Sequence, residues 1–209
     1  MTEYRLNEEL YVAPTPAGAY YAVSSPAPEP ARRLLFELMS HDQTQRACRD
    51  RLPEWMGVTE EEALRVLEQA QAQGWVCSEQ YPRPIPPGAI ESDIPLMLKG
   101  LSSAGDAILA DQHGFYLAAS GFEHDDAEML SALSADLASL HDRHITTLQE
   151  NRKIHSSAWS VVDAAGNSSI GFWPLFIGQE RFSLIIDGIP GFNLPVFADL
   201  VWVLSNRYL

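Results

Sequence analysis

The chain has 209 residues, 46% of them hydrophobic and 20% charged, with a formal net charge of −14. That composition can bury a core and lies far from the signature of disorder; its acidity repels phosphate backbones and anionic headgroups, which argues against nucleic acid and membranes as partners. Cys48 and Cys77 are too few for a disulfide framework and lack the spacing of a zinc pair, so both read as reduced thiols.

The opening residues lack a basic stretch followed by an apolar one, and no run of about 18 apolar residues occurs; a cytoplasmic protein is expected. "EYRLNEELYV" and "AYYAVSS" read as two short strands around the turn "APTPAG". "PEPARRLLFELMS" opens a helix on its prolines and carries Leu34, Leu35 and Leu38 on one face. A second helix is expected from about Gln43 to Trp55, limited by Pro53. The third has the fullest signals: Thr59 and Glu62 as a capping box, a stripe of Leu64, Leu67 and Ala70, and Gly74 as its stop. With "WVCSEQ" as a returning strand, residues 1–80 make a small winged-helix-like domain.

In a DNA-reading winged helix the start of the third helix faces the major groove, and here that start is Glu60, Glu61 and Glu62. Three carboxylates against phosphate disfavour DNA binding. The element order is also similar to the peptide-binding modules of the PQQ-synthesis chaperone type, in which a peptide adds as a strand to a hairpin edge.

"YPRPIPPGAI", residues 81–90, is a proline-rich linker in which neither a helix nor a central strand survives. Residues 91–209 form the second expected domain. "SDIPLMLKGLSS" is a short amphipathic helix with Ser92 or Asp93 as its N-cap and Leu98 and Leu101 on one side. In "AILADQHGFYLAASG" two strands flank a turn closed by Gly114, and His113 and Asp111 sit at a solvated tip.

"EHDDAEMLSALSADLASLHDRHITTLQENRK" is one long helix, acidic at its start and basic at its end. At 100° per residue, Leu130, Leu133, Leu137, Leu140 and His144 form a stripe expected to pack on a sheet. A second stripe of Ala127, Ser131, Ser134, Ala138 and Ile145 is small enough for close helix approach, and it is the expected dimer interface across a twofold axis. His141 and His144 lie at i, i+3 but lack a third ligand, so no metal is expected. Three strands follow, from "SAWSVVDAAGNSSIGFWPLFIG" and "RFSLIIDG", giving a five-stranded antiparallel sheet with flanking helices. The closing helix has Asn193 as N-cap, turns Phe197, Leu200, Val201, Leu204 and Tyr208 inward, and leaves Trp202 on its outer side, either covered by the linker or open as a possible partner contact.

This order of elements, with "AILADQHGFYLAASG" in the hairpin and "LVWVLSNRYL" at the end, resembles the roadblock (dynein light-chain) family over about residues 91 to 209. The resemblance implies a homodimer whose sheets or long helices join, acting as a scaffold or regulator for small Ras-like GTPases or motor complexes. No GxSxG elbow and no GxxxxGK[ST] loop occurs. The expectation is therefore an α+β, non-catalytic homodimeric scaffold without cofactor that binds a small Ras-like GTPase or another protein. The competing expectation is a peptide-binding adaptor working through the N-terminal hairpin edge, with residues 91–209 as its dimerisation unit.

Overall fold

The computed structural model describes residues 6–209 and divides the chain into two compact units, Met1–Pro87 with Phe192–Leu209, and Gly88–Gly191. The second unit is thus inserted in sequence between two segments of the first. The closing helix belongs to the first unit, where the sequence had carried it with the sheet of residues 91–209.

In the first unit, β1 (Tyr11–Pro14) is followed by α1 (Pro16–Val23), α2 (Pro30–Met39), β2 (Gln45–Arg46), α3 (Leu52–Met56), α4 (Glu60–Ala72) and β3 (Val76–Glu79). The expected first hairpin is not formed. Residues 3–5 of its first strand lie outside the described residues, and "AYYAVSS" is helical from Ala19 to Val23. The cause is local: Thr15 caps the helix by accepting from the Gly18 amide at 3.1 Å, and Pro16 supplies a preset φ in the first turn. Gly18 is required by proximity, since a Cβ there would lie 2.0 Å from the Trp75 carbonyl oxygen. The second expected helix shrinks to α3, because Gln45 and Arg46 pair with β1 instead.

Helix α4 follows its sequence signals. Thr59 accepts from the Glu62 amide at 3.4 Å, Leu64, Leu67 and Ala70 are buried, and Gly74 takes a φ of 68° just beyond its end. The three strands form a sheet in the order β2-β1-β3, with both pairings antiparallel.

In the second unit, α5 (Asp93–Leu101) leads to β4 (Ala107–Ala110), β5 (Tyr116–Ser120), α6 (His124–Thr146), β6 (Trp159–Val162), β7 (Ser168–Ile177) and β8 (Glu180–Asp187). A π-helical turn, Thr147–Asn151, extends α6. The five strands form one antiparallel sheet in the order β5-β4-β8-β7-β6. Each strand carries a β-branched or aromatic run that alternates between faces. Ile108, Ile185 and Phe172 stand on the face covered by α6, in one core cluster with Ala127, while α5 packs on β4 and β5.

Helix α7 (Pro195–Tyr208) returns to the first unit and packs on α1 and α2. Phe197, Leu200, Val201 and Leu204 are buried as expected. The N-cap is Leu194 rather than Asn193, because Pro195 occupies the first helical position directly after it. Tyr20, Phe192 and Phe197 form an aromatic cluster with centroid separations of 5.0 to 6.2 Å.

Candidate interaction site on the long helix

Two glycine-closed turns set the edges of the α6 side of the sheet. Between β4 and β5, Asp111 Oδ1 accepts from the amides of His113 and Phe115, both at 2.9 Å, so the pair at the hairpin tip is used in holding its own turn. Gly114, at φ 87°, brings this turn against α6, and a Cβ there would stand 3.1 Å from the Ala132 Cα. Between β6 and β7, Asp163 accepts from the amides of Ala165 and Asn167, and the Asn167 amide group beside it holds its carboxyl below the usual range.

The small stripe of α6, expected at a dimer interface, is the deeper of the two, while the leucine stripe is split: Leu130 and Leu137 pack against the sheet core and Leu133 and His144 do not. Ala127, Ser131 and Ser134, at 1%, 0% and 3% exposure, are turned onto the sheet of their own chain, and Ala138 is half-buried on the same side. The small side chains let the helix lie close to the sheet, and Leu130 and Leu137 flank them, packed against the same core cluster. These four are therefore not a free surface for a twin; of the expected interface only Ile145, 40% exposed near the helix end, remains accessible. The leucine stripe is open only in part. Leu130, Leu137 and Leu140 are half-buried, Leu133 is 42% exposed, and Met129 beside them is 64% exposed. His144 is exposed.

Strand β6 also exposes apolar side chains. It is an outer strand with one unpaired edge, and Val161 and Val162 are both more than half exposed. Register pairing sets Trp159 beside Phe172 and Val161 beside Ile170, on the face that carries α6. On its other side β6 pairs with β7, and the register shifts between Val161 and Val162.

Beneath the C-terminal half of α6 lies a cavity of about 30 Å³. Leu137, Phe172 and Phe176 form apolar walls. His141, only 6% exposed, meets the Trp159 ring edge-on at 6.3 Å, so the two helix histidines face different surroundings. The Trp159 indole nitrogen is buried without a hydrogen-bond partner. At the cavity's rim Arg181 Nη1 donates to Asp142 Oδ2 at 2.9 Å.

Trp202 is not a partner contact. It is 1% exposed, its indole N–H donates to the His41 carbonyl at 2.9 Å, and the Arg83 guanidinium from the proline-rich segment lies 4.8 Å over its ring. Arg83 is held there by Asp199 at 3.1 Å and Glu79 at 3.2 Å. Cys48 and Cys77 are free thiols; burial, followed by the charge of Glu79, pushes Cys77 above the ordinary thiol range. Among the described residues no helix is long and apolar enough to cross a membrane, and no cluster of three or more His, Cys, Asp or Glu could hold a metal.

The sequence missed the partly open leucine surface and the His141 cavity. Their signal was the abundance of alanine and serine on one side of α6, which marks close docking as readily as self-association. No family model and no curated protein matches the chain. A crystal structure of a roadblock/LC7 domain from Streptomyces avermitilis is similar over 56% of this chain and 96% of its own, at 16% identity and a TM-score of 0.36.

Proposed function

We propose that the chain is a non-catalytic scaffold that self-associates through the outer surface of α6 and the edge of β6, and that the dimer binds a small Ras-like GTPase. The carrying observation is the exposure of Met129 and Leu133 on α6, with half-buried Leu140, together with the exposed Val161 and Val162 on an outer strand with one free edge. Exposed apolar side chains and a free strand edge serve association. The helix, 23 residues and so about 34 Å long, offers a contact of adequate length. Its charges favour a twofold, antiparallel arrangement: Asp125 and Asp126 lie in its first turn and Arg143 in its last, so two antiparallel copies set acid against base. The GTPase assignment comes from the roadblock-like order of elements in the sequence.

Sedimentation at micromolar concentration tests the first part. A dimer is expected for the native chain, and a monomer with unchanged circular dichroism for Met129→Asp/Leu133→Asp. A native monomer, or a double variant that stays dimeric, refutes this interface. Binding of purified Ras-like GTPases, loaded with GTP or GDP, tests the second part, and absence of binding in both states refutes it.

A second reading keeps one observation. Strand β3 is an outer strand of the first unit's sheet, with Cys77 and Ser78 exposed, and a peptide could extend it. It replaces the hairpin edge that the chain does not form.

A further inference from the structure

We infer that residues 82–85 are an exchangeable strap: within their own chain they occupy a seat on the first unit that also takes an extended segment of a partner protein carrying arginine between prolines. The strap is held as a bound peptide would be. Its two amide groups are both used on the seat, the Arg83 N–H donating to Thr44 Oγ1 at 2.9 Å and the Ile85 N–H to the Asp42 carbonyl at 2.8 Å. In return the Thr44 N–H donates to the Arg83 carbonyl at 2.9 Å. Pro82 and Pro84 have no N–H to give, and both are exposed, whereas Arg83 and Ile85 are half-buried. That alternation, with main-chain bonds for hold and every second side chain for choice, is how extended peptides are recognised. Arg83 supplies the choice: its guanidinium lies 4.8 Å over the Trp202 ring and gives one hydrogen bond each to Asp199 and Glu79.

The seat is built without the strap. The Trp202 indole and the Asn206 side-chain amide tie the carbonyls of His41 and Ser40 to α7, both at 2.9 Å, so the backbone that receives a ligand is fixed in advance. The strap's own hold is weaker. The Arg83 side chain is 37% exposed and its partners Glu79 and Asp199 are 26% and 29% exposed, and ion pairs open to solvent contribute little and are screened by salt. Glu79 Oε2 is buried without a hydrogen-bond partner, an acceptor that the strap does not satisfy. The net charge of −14 favours a cationic ligand. A second copy is the poorer occupant, because its own arginine is already seated in cis at high effective concentration. Every group named lies within Met1–Pro87 or Phe192–Leu209, and the inference does not depend on self-association.

The test is a titration of the full chain against a fluorescently labelled peptide with the sequence of residues 81–88, YPRPIPPG, followed by anisotropy. Arg83→Ala frees the seat, so this variant should bind the peptide saturably and at least about tenfold more tightly than the native chain, whose seat is open for only a fraction of the time. In the Arg83→Ala background, Asp199→Asn should weaken binding at least about tenfold, and so should glutamine in place of the peptide's arginine. Circular dichroism checks that the variants are folded; should Arg83→Ala fail to fold, Arg83→Gln carries the same comparison. Absence of saturable binding to the folded variant overturns the seat. Equal affinity of native chain and variant overturns the strap as its occupant. Binding that ignores Asp199→Asn or the loss of the peptide's arginine overturns the choice of ligand. Unlabelled native chain that displaces the peptide as well as free peptide does gives the seat to a second copy and overturns the partner assignment.

Discussion

Replacing Trp202 separates a core role from a binding role. Its side chain is 1% exposed, donates to the His41 carbonyl and lies under Arg83. Truncation of a buried aromatic to alanine costs about 3–5 kcal/mol, and the ring's contact with the half-exposed Arg83 adds about 0.5–1 kcal/mol. Trp202→Phe retains most of the packing but leaves the His41 carbonyl without its donor, for about 1–3 kcal/mol. Because the chain has two units, a single unfolding midpoint is a poor readout. Hydrogen exchange resolved by segment is a better one. In Trp202→Ala, amides of α1, α2 and α7 should exchange about a thousandfold faster where they open with the whole unit, since each 1.4 kcal/mol is a factor of ten. Amides of β4 and β8 should be unchanged. If Trp202→Ala leaves exchange in α1 and α2 within about tenfold of native, α7 is not part of that core, and the role of Trp202 as a buried anchor is wrong.

The close docking of α6 yields two opposite expectations. Ser131→Ala removes a fully buried hydroxyl that has no partner, so stability to urea should stay level or rise by about 1 kcal/mol. Gly114→Ala places a Cβ 3.1 Å from the Ala132 Cα at a φ of 87°, and the stability of the second unit to urea should fall by about 1–3 kcal/mol. Alkylation of Cys77 should reach half its limiting rate at a pH above that of an ordinary thiol. Partial desolvation of this surface thiol, followed by the charge of Glu79, disfavours the thiolate and raises its pKa; a half-maximal rate at or below the ordinary pH contradicts that desolvation.

How far the sequence carries depends on whether the deciding contact is local. Helix α4 was readable because Thr59, Glu62 and Gly74 act within a few residues of its ends. The hairpin of β4 and β5 was readable because Asp111 and Gly114 close their own turn. Helix α1 was misread although Thr15 and Pro16 form a start signal, because Tyr20, Tyr21 and Val23 favour strands. Tertiary contacts decide there: Tyr21 stacks on Trp75 at 3.9 Å, with the Arg32 guanidinium 4.6 Å over its ring. Burial and a hydrogen bond to Glu29 push its phenol up to about 12. The candidate site depended on a distance that no pattern encodes. Two rows of α6 had the right period for burial, and the approach of the helix to β8 and β4 set the small one deepest, with Leu130 and Leu137 beside it. Trp202 was left open between two surroundings, and the segment around Arg83 covers it.

The threading of the chain has a consequence during synthesis on the ribosome. The apolar sides of α1 and α2 wait for Phe197, Leu200 and Trp202, and these are translated only after all of Gly88–Gly191. At ordinary elongation rates that delay is roughly 5 to 20 seconds. A nascent chain in this interval has one module ready to close while its earlier part still lacks a wall, so the faces of α1 and α2 stay uncovered until α7 has been made.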